Sequence, residues 1–360
     1  MKILHIYKDY FPVLGGIENY VKVLAEAQAA TGHQVIVAVC DPGRATNIED
    51  IHGVKVIKSR RWATVASMPL SLSHPLTIAR LKPDVVHVHS PYPLGEVSAW
   101  WFKAHTPLVI THHSDVVRQQ GWLRLYAPLL RGVLKHAQRI IATSPRYIDT
   151  SPWLAPLKAK CVVVPLGVDQ RRFAPPPTPF DGPPTALFVG RLRYYKGLDT
   201  LLYALASLPD VALNVVGTGP MHAEWETLAN SLGLTERVRF LGEIPDEDLP
   251  AQYHAAHCFV LPANARAEAF GTVLLEAMAS GLPCVSTEVG SGTSWVVQEG
   301  VTGWVVPPQD PTALAAAIRK LVDDPEKRRG MGQAARRRVE MEFTQELMTQ
   351  RVMEVYASVL

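Results

Sequence analysis

The sequence lacks the features that mark membrane-spanning, secreted or disordered chains. No apolar run reaches the roughly 18 to 20 residues that cross a bilayer. The start, MKILHIYKDY, has none of the charged, apolar and cleavage regions of a secretory signal. Aromatic residues make up only 8% of the chain and charged residues 19%, whereas 48% are apolar, as in globular proteins. This composition excludes disordered and collagen-like classes, and we expect a cytoplasmic protein.

Cysteine is also scarce, with 4 in 360 residues. Cys40, Cys161, Cys258 and Cys284 lie singly in apolar, strand-like segments, without the paired spacing of a zinc site or a disulfide framework. We expect all four to be buried free thiols.

The net charge of +3 conceals an asymmetry between the two halves of the chain. Residues 1–175 hold 21 Lys and Arg against 11 Asp and Glu, a balance of +10, whereas residues 176–360 hold 15 against 22, a balance of −7. A basic half joined to an acidic half indicates that one of them meets an anionic surface or ligand. The basic residues are dispersed and carry no aromatic-plus-basic motif, so we expect no nucleic-acid partner.

Short β-branched runs alternate with helical stretches in both halves, which is typical of parallel sheets covered by helices. The runs are KILHIY, QVIVAVC, VKVIKS, DVVHVHS, LVITHHS, RIIATS and CVVVPLG, then TALFVGR, LNVVGTG, VRFLGE, CFVLPA, CVSTE and GWVVPP. Residues 174–184 hold six prolines in eleven positions, which we interpret as a linker. We predict an α/β chain of two doubly wound, Rossmann-like domains, residues 1–175 and 176–344, that face a cleft.

The segment 262–287 is rich in candidate binding groups. Glu268 and Glu276 are eight residues apart, with Gly271 between them at the start of an apolar helix. Both carboxylates can point along one ligand, the first toward sugar hydroxyls and the second toward a ribose diol, while N–H groups at the helix start suit a phosphate. The structural alternative is a helix-entry carboxylate followed by a solvated mid-helix one.

Two cations follow the first strand of the second half, where doubly wound sheets bind phosphates. Arg191 and Lys196 can there offset the negative charge on a departing nucleoside diphosphate without a metal ion. The alternative is a pair of solvated loop cations.

Two glycines, Gly15 and Gly16, follow the first strand of the first half. They let the backbone approach a phosphate or sugar closely, and Glu18 or Asn19 can then contact acceptor hydroxyls. The alternative is an ordinary tight turn.

Taken together, four elements resemble the retaining GT-B glycosyltransferases of family 4. They are FPVLGGIENYV at residues 11–21, GRLRYYKGLD at 190–199, GTGP at 217–220 and the two spaced glutamates within RAEAFGTVLLEAMASGLPCV. The elements stand in the family's order and span nearly the entire chain. The resemblance implies a two-domain fold in which the second domain binds a nucleotide sugar and residues 345–360 pack back on the first domain.

The resemblance also implies roles for individual residues. The catalytic set is Arg191, Lys196, Glu268 and His113. The donor-binding set is Gly15, Gly16, Gly190, Gly217, Gly219, Phe270, Gly271, Thr272 and Glu276. The acceptor-side set is Glu18, Asn19, His89 and Asp115.

The histidines differ in their expected roles. In the string THHSD, the resemblance favours His113 over His112 as the residue that reaches the donor sugar, and Asp115 either anchors that loop or receives an acceptor hydroxyl. His87 and His89 share one face of the strand DVVHVHS; we expect the first to be a hydrogen-bonded core residue and the second to face the cleft. They lack the pattern of a third metal ligand, so we expect no metal site.

Two further segments allow different interpretations. Asp246, Glu247 and Asp248 match the DxD string with which another glycosyltransferase fold holds a divalent cation, but their position predicts acidic capping of a helix start. Residues 118–139 alternate basic and apolar side chains, which fits either an amphipathic helix on an anionic membrane or a domain helix that buries its apolar stripe.

We therefore expect a metal-independent, retaining hexosyltransferase with no cofactor. By resemblance, the donor is GDP-mannose or a related GDP-sugar, and the acceptor is a saccharide, lipid-linked rather than soluble, in O-antigen or other cell-surface polysaccharide synthesis at the inner face of the membrane. A UDP-hexose donor is the first alternative. A non-catalytic nucleotide-sugar-binding protein is the second, and the joint presence of Arg191, Lys196, Glu268 and Glu276 argues against it.

Overall fold

A computed structural model describes residues 1–13, 15–41, 45–65, 68–115 and 120–360, without the side chains of residues 120–125. These residues form two compact units. The first comprises Met1–Leu166 together with Gln345–Leu360, and the second comprises Gly167–Thr344. Among the described helices, none is both long and apolar enough to span a bilayer.

The first unit is built on a largely parallel sheet. Its strands are β1 (Lys2–Ile6), β2 (Gln34–Asp41), β3 (Asn47–Ile51), β4 (Val54–Arg60), β7 (Val85–Ser90), β8 (Leu108–His112), β9 (Arg139–Ala142) and β10 (Cys161–Val163), and the short β5 (Ala63–Val65) and β6 (Met68–Leu70) form a separate antiparallel pair. The order across the sheet is β10-β9-β8-β7-β1-β2-β4-β3, in which only the β3–β4 pairing is antiparallel. The central strands are apolar and buried because helices cover both faces of such sheets.

Five helices of the first unit precede residue 166. They are α1 (Gly16–Ala30), α2 (Ser73–Arg80), α3 (Pro93–Phe102), α4 (Gln120–His136) and α5 (Pro145–Thr150), followed by a 3₁₀ segment at Ala155–Lys160. Helix α1 shows the sequence rule clearly, since Tyr20, Val21, Leu24, Ala25 and Gln28 recur on one face and are buried.

The second unit repeats this architecture with an entirely parallel sheet. Its strands are β11 (Thr185–Val189), β12 (Ala212–Val216), β13 (Val238–Gly242), β14 (Cys258–Leu261), β15 (Cys284–Thr287) and β16 (Gly303–Val306), in the order β13-β12-β11-β14-β15-β16. Its helices are α6 (Leu198–Ala206), α7 (His222–Ser231), α8 (Leu249–His254), α9 (Thr272–Ala279), α10 (Thr293–Val296), α11 (Pro311–Val322) and α12 (Pro325–Glu342), with 3₁₀ turns at Tyr194–Lys196 and Asp246–Asp248.

The last helix, α13 (Gln345–Ala357), groups with the first unit. It packs on α1, and the Tyr356 hydroxyl lies 2.6 Å from Nδ1 of His87. The two residues in this contact are far apart in sequence, and the contact holds the C-terminal helix in the same folded unit as the N-terminal part of the chain.

The division between the units falls at Leu166 and Gly167, before the predicted boundary at residue 175. Backbone contacts explain the difference. Val168 N donates to the Phe343 carbonyl, and Arg336 donates to the carbonyl of Gln170. The proline-rich segment 174–184 is therefore part of the second unit and does not connect the two.

The strand orders identify one switch point in each sheet. Sequence order reverses between β1 and β7 in the first unit and between β11 and β14 in the second. Ligands of open parallel sheets bind outside the carboxyl ends of the strands at such points. The loops that follow these four strands are thus the first places to look for function.

The cysteine prediction is right for three of the four residues. Cys40, Cys258 and Cys284 are buried and free, whereas Cys161 is free but only half-buried, because it lies on the edge strand β10.

Candidate active site

In the second unit, the loops that follow β11 and β14 are tied together. The backbone N–H of Asn264 donates to the Tyr195 carbonyl at 3.0 Å, and its side-chain amide donates to the Tyr194 carbonyl at 3.0 Å. These two bonds bring Lys196 and Glu268 side by side. The Lys196 Nζ lies 2.5 Å from Oε2 of Glu268.

This ion pair is largely shielded from water. The side chains of Lys196 and Glu268 are 10% and 11% exposed, and the Lys196 ammonium also lies 6.0 Å from the ring centre of Tyr195. Because a buried charge is costly without a partner, each group compensates the burial of the other. An arriving anion can take the carboxylate's place beside the ammonium.

Arg191 stands at the same edge of the sheet, two residues after β11. Its side chain is exposed, and it forms no ion pair with any residue that the structure describes. A guanidinium offers several N–H donors in a plane, which suits a phosphate. Arg191 and Lys196 are therefore two cations at one switch point, the first solvated and the second paired.

Two glycines of this region are required by packing. Gly217 has φ +121°, and a Cβ there would lie 2.2 Å from the Gly190 carbonyl oxygen. A Cβ on Gly219 would lie 2.4 Å from the Leu192 carbonyl oxygen. The loops after β11 and β12 thus run in direct backbone contact, which explains Gly217 and Gly219 without a ligand. Gly190 differs, because its φ of +149° favours glycine while a Cβ there would meet the Lys196 Nζ at 3.4 Å.

Glu276 lies in the middle of α9 and is half-buried. The Tyr253 hydroxyl donates a 2.6 Å hydrogen bond to its Oε2. Burial raises the pKa of Glu276 to about 7, and the Tyr253 hydrogen bond, Arg172 and Lys196 partly oppose this rise. The influence of Lys196 shows that Glu276 faces the same region as the ion pair.

The start of α9 follows a left-handed residue, Gly271, with φ +79°. The first N–H groups of a helix have no acceptor within it, so those near Thr272 can serve an anion. The ring of Phe270 is buried, 6.5 Å from Trp295 and 6.3 Å from Phe343, and is therefore a core side chain. Only its backbone is suited to ligand binding.

In the first unit, the predicted glycines stand at the start of α1. Gly15 and Gly16 are exposed, as is Asn19. Glu18 is instead buried and folds back, since a Cβ on Gly15 would lie 2.1 Å from Glu18 Oε2. Its carboxylate lies 3.6 Å from Lys8 Nζ. Glu18 is therefore occupied within the loop, whereas Asn19 is accessible.

His113 follows β8 directly and is 5% exposed. Its Nε2 lies 3.3 Å from Nδ1 of His89, and Tyr20 packs edge-on against its ring at 4.9 Å between ring centres. Burial lowers the pKa of His113 to about 3, so the ring is neutral at physiological pH.

The contacts of Asp115 favour one of its two predicted roles. Its Oδ1 accepts hydrogen bonds from Ser151 Oγ at 2.8 Å and from His112 Nε2 at 3.0 Å, and its backbone N–H donates to the Tyr147 hydroxyl. These bonds fix the loop after β8. Asp115 therefore anchors the loop in this structure.

His5, on the apolar strand β1, was not among the predicted site residues and lies beside His87 and His89. The ligand nitrogens of these three buried residues lie within 4.8 Å of one another. Each ring nitrogen nevertheless has a hydrogen-bond partner, the outer ones being Gln28, Thr111, Tyr356 and His113. The three rings thus form a hydrogen-bonded core, as expected for His87, whereas His89, which was expected to face the cleft, is fully buried within it. The register of β1 against β7, in which His5 pairs with His87, could have revealed it.

The acidic string Asp246–Asp248 forms a 3₁₀ turn before α8, and Asp248 occupies the N-cap position of α8 without a side-chain hydrogen bond. The predicted place of the string at a helix start is confirmed, whereas capping hydrogen bonds from its side chains are not observed. The turn is held by the Asp246 carbonyl, which accepts from Arg172, while the carboxylates of the string are exposed.

The segment 118–139 includes α4, and its residues 118–119 and the side chains of residues 120–125 lie outside the described part of the structure. The side chains of Trp122, Leu123 and Leu125 are therefore outside the described part of the structure. Further along, Leu130, Val133 and Leu134 are buried, whereas Leu129 is exposed. The second half of this segment fits a domain helix.

A cavity of about 770 Å³ lies elsewhere in the second unit, against the proline-rich segment. Its lining includes Arg328, Arg329 and Arg337, and it adjoins Glu276 through Tyr253, which bonds to the carboxylate, and through Ser280, which bonds to the backbone carbonyl. The cavity is not at the carboxyl ends of β11 and β14, so we place the chemistry at the ion pair.

Comparison with known proteins agrees with the geometry. Residues 14–172 match the family model described as Glycosyltransferase Family 4, and residues 169–338 match the one described as Glycosyl transferases group 1. A D-rhamnosyltransferase of Pseudomonas aeruginosa is 37% identical over 356 residues, covering 96% of this chain and 92% of the relative. The O-antigen chain mannosyltransferase C of Escherichia coli is 33% identical, covering 100% of this chain and 99% of the relative.

Solved structures show the same architecture. A sucrose-phosphate synthase from Thermosynechococcus elongatus superposes with a TM-score of 0.83 at 28% identity, covering 99% of this chain and 98% of that one. The Anabaena protein HepE, solved in complex with UDP, superposes with a TM-score of 0.79 at 22% identity, covering 99% of this chain and 100% of that one.

Proposed function

This chain belongs to the glycosyltransferases of group 1 and family 4, and from that premise we propose that it transfers a hexose from GDP-mannose or a related GDP-sugar, with retention at the anomeric carbon. Its two parallel α/β units are the Rossmann-like domains of the GT-B fold. The names of the relatives, a rhamnosyl- and a mannosyltransferase, support this donor class.

The observation that carries the proposal is the Lys196–Glu268 pair beside Arg191 at the switch point of the second sheet. As the glycosidic bond to the diphosphate breaks, negative charge grows on the leaving group. Lys196 and Arg191 stabilise that charge, and removing one such preorganised donor typically costs about 10² to 10³ in rate. Glu268 then accepts hydrogen bonds from the sugar hydroxyls, and Glu276 accepts them from the ribose diol.

The state of the carboxylates supports a reaction without a covalent glycosyl-enzyme intermediate, while retention itself is proposed from the family resemblance. A nucleophilic carboxylate must be free to attack the anomeric carbon. Glu268 is paired with Lys196, and Glu276 is bonded to Tyr253. We therefore favour attack by the acceptor on the same face as the leaving group, whose phosphate takes the acceptor's proton. Arg191 and Lys196 neutralise the charge of the leaving diphosphate, as a metal ion does in other enzymes, so we expect the reaction to need no metal ion.

The acceptor is proposed to be a lipid-linked saccharide of an O-antigen or a related surface polysaccharide. The name of the Escherichia coli relative supports this class. The excess positive charge of residues 1–175 favours an approach to an anionic membrane surface, which would bring the protein to the inner face of the membrane. In the first unit, Asn19 is the accessible candidate for contact with the acceptor.

A UDP-hexose donor is the second candidate. The Anabaena protein HepE, which has this fold, was solved in complex with UDP and, separately, with UDP-glucose. Because HepE is only 21 to 22% identical to this chain, the likeness supports the shared fold and does not identify the base of the donor nucleotide.

The donor is tested by thermal unfolding of the protein with GDP, UDP, ADP or dTDP in the presence of EDTA. A ligand that binds only the folded state raises the melting temperature, with a stabilisation of about 2.7 kcal/mol at 100 times Kd. We expect GDP to stabilise wild type, and Lys196→Ala to lose most of the effect. Arg329→Ala, an exposed arginine away from the pair, is the matched control. Stabilisation by UDP alone would replace the donor, and no response to any nucleotide would contradict the proposal.

A further inference from the structure

Three histidines form a continuous chain across one face of the first sheet. Their strands, β1, β7 and β8, are neighbours in the sheet, and His113 directly follows the last of them. His5 Nδ1 lies 3.0 Å from His89 Nε2, and His89 Nδ1 lies 3.3 Å from His113 Nε2. At the inner end, His5 Nε2 lies 2.7 Å from Oε1 of Gln28 on α1. All four side chains are buried.

Every ring in this chain is neutral at physiological pH. Burial lowers the pKa of His5 to about 4 and that of His113 to about 3, and it holds the pKa of His89 well below its usual range. A neutral imidazole has one N–H donor and one lone-pair acceptor. In a row of such rings, the tautomer of each ring dictates that of the next, so only two arrangements satisfy all the bonds.

The orientation of the Gln28 amide selects between the two arrangements. Its Oε1 faces His5, and an amide oxygen only accepts, so the proton of His5 is on Nε2. Its Nε2 is buried and has no hydrogen-bond partner among the described residues, so the contact of Oε1 with His5 is the one that orients the amide. The lone pair of His5 Nδ1 then accepts from His89 Nε2–H, and His89 Nδ1 accepts from His113 Nε2–H.

The order of protons along the three histidines fixes the hydrogen-bonding role of the last ring nitrogen, Nδ1 of His113. His113 Nδ1 has no proton and no hydrogen-bond partner among the residues that the structure describes. It is therefore an acceptor. It can receive a hydrogen bond from a hydroxyl group, whereas it repels a phosphate or carboxylate oxygen, which carries no proton.

We propose that Gln28, His5 and His89 are positioning residues that lock His113 in the Nε2–H tautomer, so that its Nδ1 recognises a hydroxyl group of the substrate. This inference rests on the proposed glycosyl transfer and on the role that the family resemblance implies for His113, which is contact with the donor sugar. The three inner residues touch no substrate and act only through His113. The opposite tautomer would present an N–H group to the hydroxyl and favour an anionic oxygen instead.

The tautomers can be measured without any substrate by ¹⁵N NMR of protein labelled at histidine, in which the two ring nitrogens of each tautomer have distinct shifts and couplings. We expect His113 of the wild type to be in the Nε2–H form. A wild-type spectrum with His113 in the Nδ1–H form would overturn the inference, and this measurement does not depend on any variant folding.

Substitution of Gln28 tests the cause. Gln28→Leu removes the acceptor that orders the chain, and we expect the Nδ1–H form of His113 to appear in substantial population. Gln28→Glu keeps an acceptor in place and should retain the wild-type tautomer. His112, which is held separately by Ser90 and Asp115, provides an internal reference that should not change. An unchanged His113 in Gln28→Leu would refute the role of Gln28.

Kinetics link the chain to the reaction. In Gln28→Leu, we expect kcat/KM to fall about tenfold for a loss near 1.4 kcal/mol of transition-state stabilisation. The affinity for GDP, measured by calorimetry, should stay within twofold, because the nucleotide is bound by the second unit. A wild-type rate in Gln28→Leu would remove the link to catalysis. If His113→Ala retained full activity, the proposed function of His113 would fail instead, while the NMR result on the chain would stand.

Discussion

Removing the Lys196 ammonium while Glu268 remains is expected to destabilise the protein strongly. Their charged atoms are 2.5 Å apart, and the two side chains are 10% and 11% exposed. In Lys196→Met, the carboxylate loses its partner in a site with little water. Breaking a buried pair from one side costs roughly 3 to 5 kcal/mol. The residual exposure places our expectation at the lower end, about 3 kcal/mol.

The loss should depend on pH, with a sign that follows from proton linkage. An unpaired buried carboxyl keeps its proton to a higher pH than the same group in the unfolded chain, which releases it near about 4.3. The native variant then binds more protons than the unfolded one, so its stability falls as pH rises, by up to about 1.4 kcal/mol per pH unit. The loss in the free energy of unfolding should be small at pH 5 and reach its full value about two to three pH units higher.

Urea unfolding at pH 5 and pH 8 measures this effect, with the transitions of the two units fitted separately. The double variant Lys196→Met with Glu268→Gln should recover most of the lost stability, because it leaves no buried charge unpaired. Lys320→Met, at an exposed lysine of α11 whose ammonium lies 4.4 Å from the ring centre of Trp304, should cost no more than about 1 kcal/mol at either pH. Equal stability of Lys196→Met at both pH values, or no recovery in the double variant, would refute the reasoning.

Other consequences follow from Glu276 and Gly217. Burial raises the pKa of Glu276 to about 7, so the ionised fraction of this carboxyl grows between pH 6 and 8. We therefore expect the affinity of the wild type for GDP, measured by calorimetry, to increase over that interval. In Glu276→Gln, the affinity should not change with pH. Without ligand, the Glu276 carboxyl keeps its proton up to about pH 7 in the folded protein, whereas it releases the proton near pH 4.5 in the unfolded chain. The free energy of unfolding should therefore fall as the pH rises from about 4.5 to 7. Glu276→Gln should lack this contribution. Gly217→Ala would place a Cβ 2.2 Å from the Gly190 carbonyl oxygen and should lower the free energy of unfolding by about 3 kcal/mol or more. Its control, Gly330→Ala within α12, meets no atom within 4 Å and should stabilise by about 0.5 to 1 kcal/mol; similar melting temperatures for the two alanine variants would contradict the packing argument.

The regular parts of the fold could be predicted because their signals are local. Buried parallel strands such as those in QVIVAVC and CFVLPA consist mostly of apolar residues, and the second is followed directly by the apolar helix α9. The edge strand β3, with sequence NIEDI, escaped prediction because it is polar and exposed. The boundary was misplaced because prolines stop strands and helices but do not reveal which unit they pack against, and Arg336 and Phe343, which hold residues 167–170, are remote in sequence.

The candidate site divides in the same way. Lys196 and Glu268 stood out because each follows a strand, and their pairing depends on Asn264, a long-range tie that no local pattern shows. The chain from Gln28 through His5 depends on strand register and on the packing of α1, so His5 looked like one more residue of an apolar strand. Tyr253, the partner of Glu276, likewise approaches from a different helix.

The most direct test of the account is product formation from GDP-mannose and a lipid-linked saccharide acceptor in EDTA, with the configuration of the new linkage read by NMR. We predict GDP release and a linkage that retains the donor's anomeric configuration, at a rate that EDTA does not change and that Lys196→Ala lowers by about 10² or more. An inverted linkage, loss of activity in EDTA, or an unchanged rate in Lys196→Ala would contradict the account.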